Sequence, residues 1–192
     1  MPNWCSNHIT IIGKRKDLIK IQDKMEYKDN PFSCEKVLPS KDAPANMALA
    51  DYWGSKWDTC DTSLTGSVDK IPNSLEFIKG KAFKEEIKDI TYFYNTAWSP
   101  VSLVIAELAR QHPDVYIIEE FEEEGMEFRA IVEYMGGKEI RYLDLPLDEY
   151  DEETGENLEN KEAEELIDSK EGYYDFASEL FEKYGFKKYK PD

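Results

Sequence analysis

The chain has 192 residues, 41% of them apolar and 13% aromatic, enough for one folded core and too few for two large ones. Its 41 acids against 24 bases give a net charge of −17, a field that disfavours direct binding of duplex DNA by the surface as a whole. The three cysteines, odd in number and widely spaced at Cys5, Cys34 and Cys60, argue against a disulfide framework and for a reducing compartment. No stretch approaches the roughly 20 apolar residues that cross a bilayer, and no basic segment leads into an apolar run, so a cytoplasmic protein with no membrane partner is expected.

Taken in order, Asn7–Gly13 alternates and ends on glycine, as a short strand does. From Lys14 to Tyr27, Leu18, Ile21 and Met25 recur at helical spacing, and Asn30-Pro31 closes the helix. Phe32–Leu38 reads as a second strand, Ser40–Asp51 as a loop with a helical turn around Ala45–Ala50, and Trp57–Leu64 as a polar strand. Ser67–Asp89 is expected to be loop with a helical turn, and Ile90–Thr96 a strand.

Ser99 as N-cap, Pro100 at the first helical position and Trp98 stapled onto Leu103 predict a helix that carries Val101, Val104, Ile105 and Leu108 inward and stops at Pro113. Val115–Phe121 and Phe128–Met135 read as strands, with Gly136-Gly137 turning into Lys138–Leu143. This order predicts an α+β, ferredoxin-like antiparallel sheet with helices on one face and an extra hairpin, occupying residues 1–146. Residues 147–192 are expected to be an acidic linker over Leu147–Gly155, a short helix at Asn160–Ile167 and a terminal helix at Tyr173–Tyr184 docked on the core.

The charge is confined. Met1–Ile118 holds 16 acids and 15 bases, Glu119–Glu171 holds 21 and 5, and Gly172–Asp192 holds 4 of each. Such a band either solvates one face or meets a basic partner.

All four tryptophans fall in three short runs: Met1-Pro2-Asn3-Trp4-Cys5-Ser6-Asn7, Tyr52-Trp53-Gly54-Ser55-Lys56-Trp57-Asp58, and Asn95-Thr96-Ala97-Trp98-Ser99-Pro100. Indole faces interleaved with a cation, a carboxylate and amides suit a binding cleft in which Trp53 or Trp57 stacks on a planar group, Lys56 meets an anion and Asp58 accepts hydrogen bonds. Asn7, Thr96 and Trp98 are the second set of candidate ligand-binding residues. The bland alternative is core tryptophans with Lys56 and Asp58 at the surface.

The catalytic inventory is thin, and no catalytic residue, metal or cofactor is assigned. His8 lies in an apolar strand and His112 precedes a proline; Cys5 and His8 have a spacing that could ligate a metal with Cys60 or Cys34 as a third donor, but no CxxC or HxxxH supports a zinc site; the acidic runs Glu119-Glu120 and Glu122-Glu123-Glu124 read as solvent-facing. No phosphate-cradling glycine loop, serine-hydrolase elbow or dinucleotide fingerprint is present.

The three tryptophan runs, in this order, resemble the Api92-like family of phages, prophages and plasmids, related to the YubB-type plasmid proteins, over roughly Met1 to Leu145. Ser55 stands where a threonine is expected, and Ser99-Pro100 where two prolines are frequent. The resemblance implies a ferredoxin-like domain, a mobile-element origin and a host-cytoplasm location, and no settled activity.

Three readings follow. The first is a non-enzymatic phage or mobile-element protein that sequesters a small nucleotide-like ligand in a tryptophan-lined cleft, countering host immune signalling. The alternative is an acidic inhibitor or nucleic-acid mimic that occupies a basic host protein. A nucleotide-modifying hydrolase using Asp58 with a cysteine or histidine is the third.

Overall fold

The computed structural model describes residues 2–66, 87–145, 149–150 and 157–158. The chain divides into two compact units, Met1–Asp144 and Leu145–Asp192.

The first unit is built on a sheet of six strands: β1 (Trp4–Lys14), β2 (Cys60–Thr65), β3 (Ile87–Ala97), β4 (Tyr116–Glu123), β5 (Phe128–Met135) and β6 (Lys138–Leu145). Their order across the sheet is β2-β3-β1-β4-β5-β6. With helix α1 (Arg15–Met25) after β1 and helix α4 (Ser102–Gln111) after β3, the first four strands form the antiparallel βαββαβ arrangement of a ferredoxin-like fold, and β5 and β6 extend it as a meander. Gly136 and Gly137, at φ 63° and 79°, supply the two left-handed positions that a two-residue hairpin turn requires.

β1 is the central strand. It pairs with β3 from Trp4↔Ala97 to Lys14↔Ile87 and with β4 from Ser6↔Glu122 to Ile12↔Tyr116, both antiparallel. Cys5, Ile9 and Ile11 of β1 enter one apolar cluster with Tyr92 and Tyr94 of β3, Ile117 and Phe121 of β4, Leu18, Ile21 and Met25 of α1, and Val104, Ile105 and Leu108 of α4. The helical stripes expected from spacing therefore cover the sheet face that period-two alternation turns inward.

Three local expectations are corrected. The apolar stretch after Pro31 contains a single helical turn, α2 (Cys34–Val37), in place of a strand. Periodicity cannot separate the two over so few residues, and the deciding interaction comes from Asp58, far along the chain. The helix that follows β3 starts at Ser102, with Val101 as N-cap and no side-chain cap bond, so Ser99 is not its cap. Trp98 and Leu103 are both exposed, and Trp98 has φ 72°, so they form no buried staple. Finally, a 3₁₀ turn at Ser40–Asp42 opens the segment read as loop, and the helical turn expected around Ala45–Ala50 lies a few residues later, as the short helix α3 (Leu49–Trp53).

In the second unit, β7 (Glu149–Tyr150) pairs antiparallel with β8 (Asn157–Leu158), where a linker was expected. Ladder bonds use backbone groups, so acidic side chains do not prevent the pairing. Of the loop expected over Ser67–Asp89, residues 87–89 instead open β3, and residues 67–86, like the helices expected at Asn160–Ile167 and Tyr173–Tyr184, lie outside the described residues.

Candidate functional site

The three tryptophan runs meet at one end of the first unit. Trp4 opens β1 opposite Ala97, and the Trp98 N–H donates to the Asn3 carbonyl at 3.0 Å. The Ser55 hydroxyl bridges the Ala97 backbone, donating to its carbonyl and accepting from its N–H, each at 3.2 Å. Ser99 Oγ donates to the Gly54 carbonyl. Gly54 ends α3 at φ 92°, and a Cβ there would stand 2.5 Å from the Pro100 carbonyl oxygen. Only glycine lets the second run lie this close to the third.

The candidate residues divide sharply. Trp53 is a core residue, 4% exposed, whose Nε1 donates to the Leu38 carbonyl at 2.7 Å. Asp58 is a structural acceptor: Oδ2 takes the Ser33 hydroxyl at 2.6 Å, and Oδ1 takes the N–H groups of Cys34 at 2.6 Å and Thr59 at 2.8 Å. Asn7 is buried on the inward face of β1, donating to the Cys5 carbonyl and to Thr96 Oγ1, both at 2.8 Å. Thr96 in turn donates to the Ser99 carbonyl at 2.8 Å. Asn7 and Thr96 tie the first run to the third, and Trp53 and Asp58 tie the second run to residues 33–38.

The exposed members are Trp4, Lys56, Trp57 and Trp98. The Trp4 and Trp57 rings lie 6.4 Å apart between centroids at 50°, and Lys56 Nζ sits 5.4 Å from the centre of the Trp57 ring.

Beside Trp4 opens a cavity of about 330 Å³ lined by Asn3, Trp4, Ser6, Glu122, Glu123, Glu124 and Gly125. Asn3, Trp4 and Ser6 come from the first tryptophan run, and none of the seven is among the candidate ligand-binding residues named from the sequence. Their sequence signal was the period of β4: Ile117, Glu119, Phe121 and Glu123 share the inward face, and the strand runs two residues past Phe121. Within the acidic band, Glu119 and Glu123 are accordingly buried, not solvent-facing, and Glu133, opposite Ile118 on β5, is buried as well. Glu119 accepts from Ser102 Oγ and from the Tyr134 hydroxyl, both at 2.9 Å, and burial pushes its carboxyl up to about 7 against the pull of those two bonds. Glu133 pairs with Arg141. Glu123 Oε1 accepts the Gly125 N–H at 3.0 Å, and its Oε2 has no hydrogen-bond partner.

The remaining reactive groups are poorly placed for chemistry. Burial pushes the Cys5 thiol up to about 12 and the Cys34 thiol well above its ordinary range, and burial, then Asp61, raises Cys60. Cys5 and His8, three apart on a strand, point to opposite faces; His8 stacks on Phe93 and faces Glu120 at 3.4 Å. Burial lowers His112, with Lys24 adding to the effect. Among the described residues, no cluster of three histidine, cysteine or acidic side chains is placed to hold a metal, and no helix is long and apolar enough to cross a membrane.

The topology defines an α+β protein of the ferredoxin-like class, with an aromatic and acidic end formed by β1, β4 and the turn at residues 54–58. Residues 80–177 match the family model described as the ferredoxin-like domain in Api92-like protein, and the chain belongs to that family. Of the three tryptophan runs, only the one ending at Pro100 lies in the matched segment. The crystal structure of a protein api92 from Yersinia pseudotuberculosis is similar at 10% identity, with a TM-score of 0.36, over 53% of this chain and 30% of that one. No curated protein matches the chain.

Proposed function

We propose that the chain is a non-enzymatic binding protein that engages a basic segment of another protein through the acidic, tryptophan-edged end of its first unit. The observation that carries this reading is the cavity beside Trp4, three of whose seven lining residues are glutamates. Carboxylates attract cations and repel phosphate, so the same wall that favours a basic partner disfavours a nucleotide. The raised thiols of Cys5, Cys34 and Cys60 and the structural use of Asp58 support binding without turnover. In a mobile-element setting, such a protein would act by covering a basic surface of a host protein.

Capture of a nucleotide-like ligand is the second reading, and one observation favours it: Lys56 lies beside Trp57, with the Trp4 ring 6.4 Å from that of Trp57. Stacking between aromatic rings and a base contributes about 1–3 kcal/mol per base, with Lys56 placed for an anion. Calorimetric titration of the full chain with basic peptides and with a panel of linear and cyclic nucleotides separates the two. Binding of basic peptides that weakens with added salt is expected; nucleotide binding with no peptide binding would sink the first reading.

A further inference from the structure

We infer that the exposed apolar patch of Trp4, Trp57, Trp98 and Met126 docks an amphipathic basic segment of a partner protein, whose apolar side chains seat on the rings. This inference rests on the basic-partner reading above and names the kind of segment that the same end receives.

Among the described residues nine large apolar side chains are exposed, and these four, each between 41% and 57% exposed, gather around Asn3. Asn3 precedes Trp4, and its carbonyl accepts the Trp98 N–H at 3.0 Å. Its side chain lies against Gly125, the neighbour of Met126: a Cβ on Gly125 would stand 2.6 Å from Asn3 Nδ2. Trp57 joins the group through Trp4, with the ring centroids 6.4 Å apart. Three half-exposed indoles and a methionine at one place leave apolar area in water that a partner's surface would cover. Tryptophan and methionine are also enriched in the buried centres of protein interfaces, and tryptophan among the residues that carry their affinity.

Charge decides what covers the patch. Glu124 and Glu127 bracket Gly125-Met126 in the β4–β5 turn, and both are exposed. Nucleic acid and an anionic lipid surface are repelled there, and a second copy would bring its own net charge of −17 against the same sign. A basic protein segment is attracted. Its cations belong at the glutamates, not over the Trp57 ring, where the chain's own Lys56 already stands with Nζ 5.4 Å from the ring centre. The segment therefore needs apolar side chains for the rings and cations on the flank that faces the β4–β5 turn. The rim charges steer the encounter, and the covered rings supply the affinity.

The test is calorimetric titration of the full chain with a short amphipathic peptide of leucine and lysine and with an oligo-lysine peptide of equal charge. The amphipathic peptide should bind about tenfold more tightly, and its affinity should fall with added salt. Trp57→Ala and Met126→Ala, both at exposed positions, should each weaken it about tenfold. Glu124→Gln should weaken it about threefold and lessen the salt dependence, the mark of a rim charge. Tyr142→Ala removes a comparably exposed aromatic from β6, at the far edge of the sheet, and should leave the affinity unchanged. Wild-type affinity in both Trp57→Ala and Met126→Ala overturns the patch as the docking surface, and equal affinity for the two peptides overturns apolar anchoring. Either result leaves the basic-partner reading standing, whereas no binding of either peptide ends both inferences.

Discussion

The carboxylate of Asp58 caps the helical turn that begins at Cys34, accepting that residue's N–H at 2.6 Å from the turn that precedes β2. The same carboxylate holds the Ser33 hydroxyl, so one acid fixes the segment after Pro31 against the second tryptophan run. Asp58→Ala removes all three acceptor bonds and should cost about 2–3 kcal/mol, with Asp58→Asn intermediate, in urea denaturation. A neutral result would return Asp58 to the surface role that its composition suggested.

Gly54 makes the contact between the second and third runs possible. Gly54→Ala meets both a left-handed backbone and the Pro100 carbonyl, and should destabilise by at least about 2 kcal/mol. The melting temperature checks it; an unchanged value would mean the two runs separate without cost.

Trp53 and Trp57 should behave oppositely despite lying four residues apart. Trp53→Ala empties a core site and breaks the bond to the Leu38 carbonyl, costing about 3–5 kcal/mol. Trp57→Ala, at an exposed position, should stay within about 0.5 kcal/mol. Chemical denaturation of both variants measures the contrast, and equal losses would refute it.

Glu119 makes stability depend on pH. Its folded value of about 7 lies above the ordinary 4.5, so between those limits the unfolded chain ionises while the folded one keeps its proton. Stability therefore falls as pH rises through this window, by on the order of 3 kcal/mol, and levels off above it. Glu119→Gln should flatten the dependence while keeping acceptors for Ser102 and Tyr134. Parallel urea curves at pH 5 and pH 8 give the answer, and identical slopes in variant and wild type would exclude Glu119 as the cause.

The thiols should separate by burial. Cys60 is partly exposed, whereas Cys5 and Cys34 are buried. A disulfide reagent at neutral pH should modify one thiol in the native chain and all three after unfolding. Rapid reaction of Cys5 in the native state would contradict its raised value.

The sheet was legible where the period was long and pure. β5 begins and ends where alternation places it, and Gly136-Gly137 marks its hairpin. α1 was readable from Leu18, Ile21 and Met25 alone. Misreadings arose where a distant group decides a local conformation, as Asp58 does for Cys34–Val37 and Gly54 for Ser99, whose hydroxyl is drawn away from the helix start. For the candidate site, composition drew the eye to tryptophans, yet Trp53 serves the core. Glutamates look like surface residues until strand phase is followed past Phe121, and only then do Glu119 and Glu123 turn inward. The opening beside Trp4 comes from strands far apart in sequence meeting in the sheet, which no local pattern encodes.

The central place of β1 sets the order in which the molecule can form. This strand is translated before both of its neighbours, since β3 starts at Ile87 and β4 at Tyr116, and every one of its ladder bonds waits on closure of a long loop. The β4–β5 hairpin, joined over a short turn, is free to form first and offers β4 as a template. During synthesis, the apolar face of β1 stays without its final neighbours until most of the first unit has left the ribosome, which is the interval in which aggregation competes with folding.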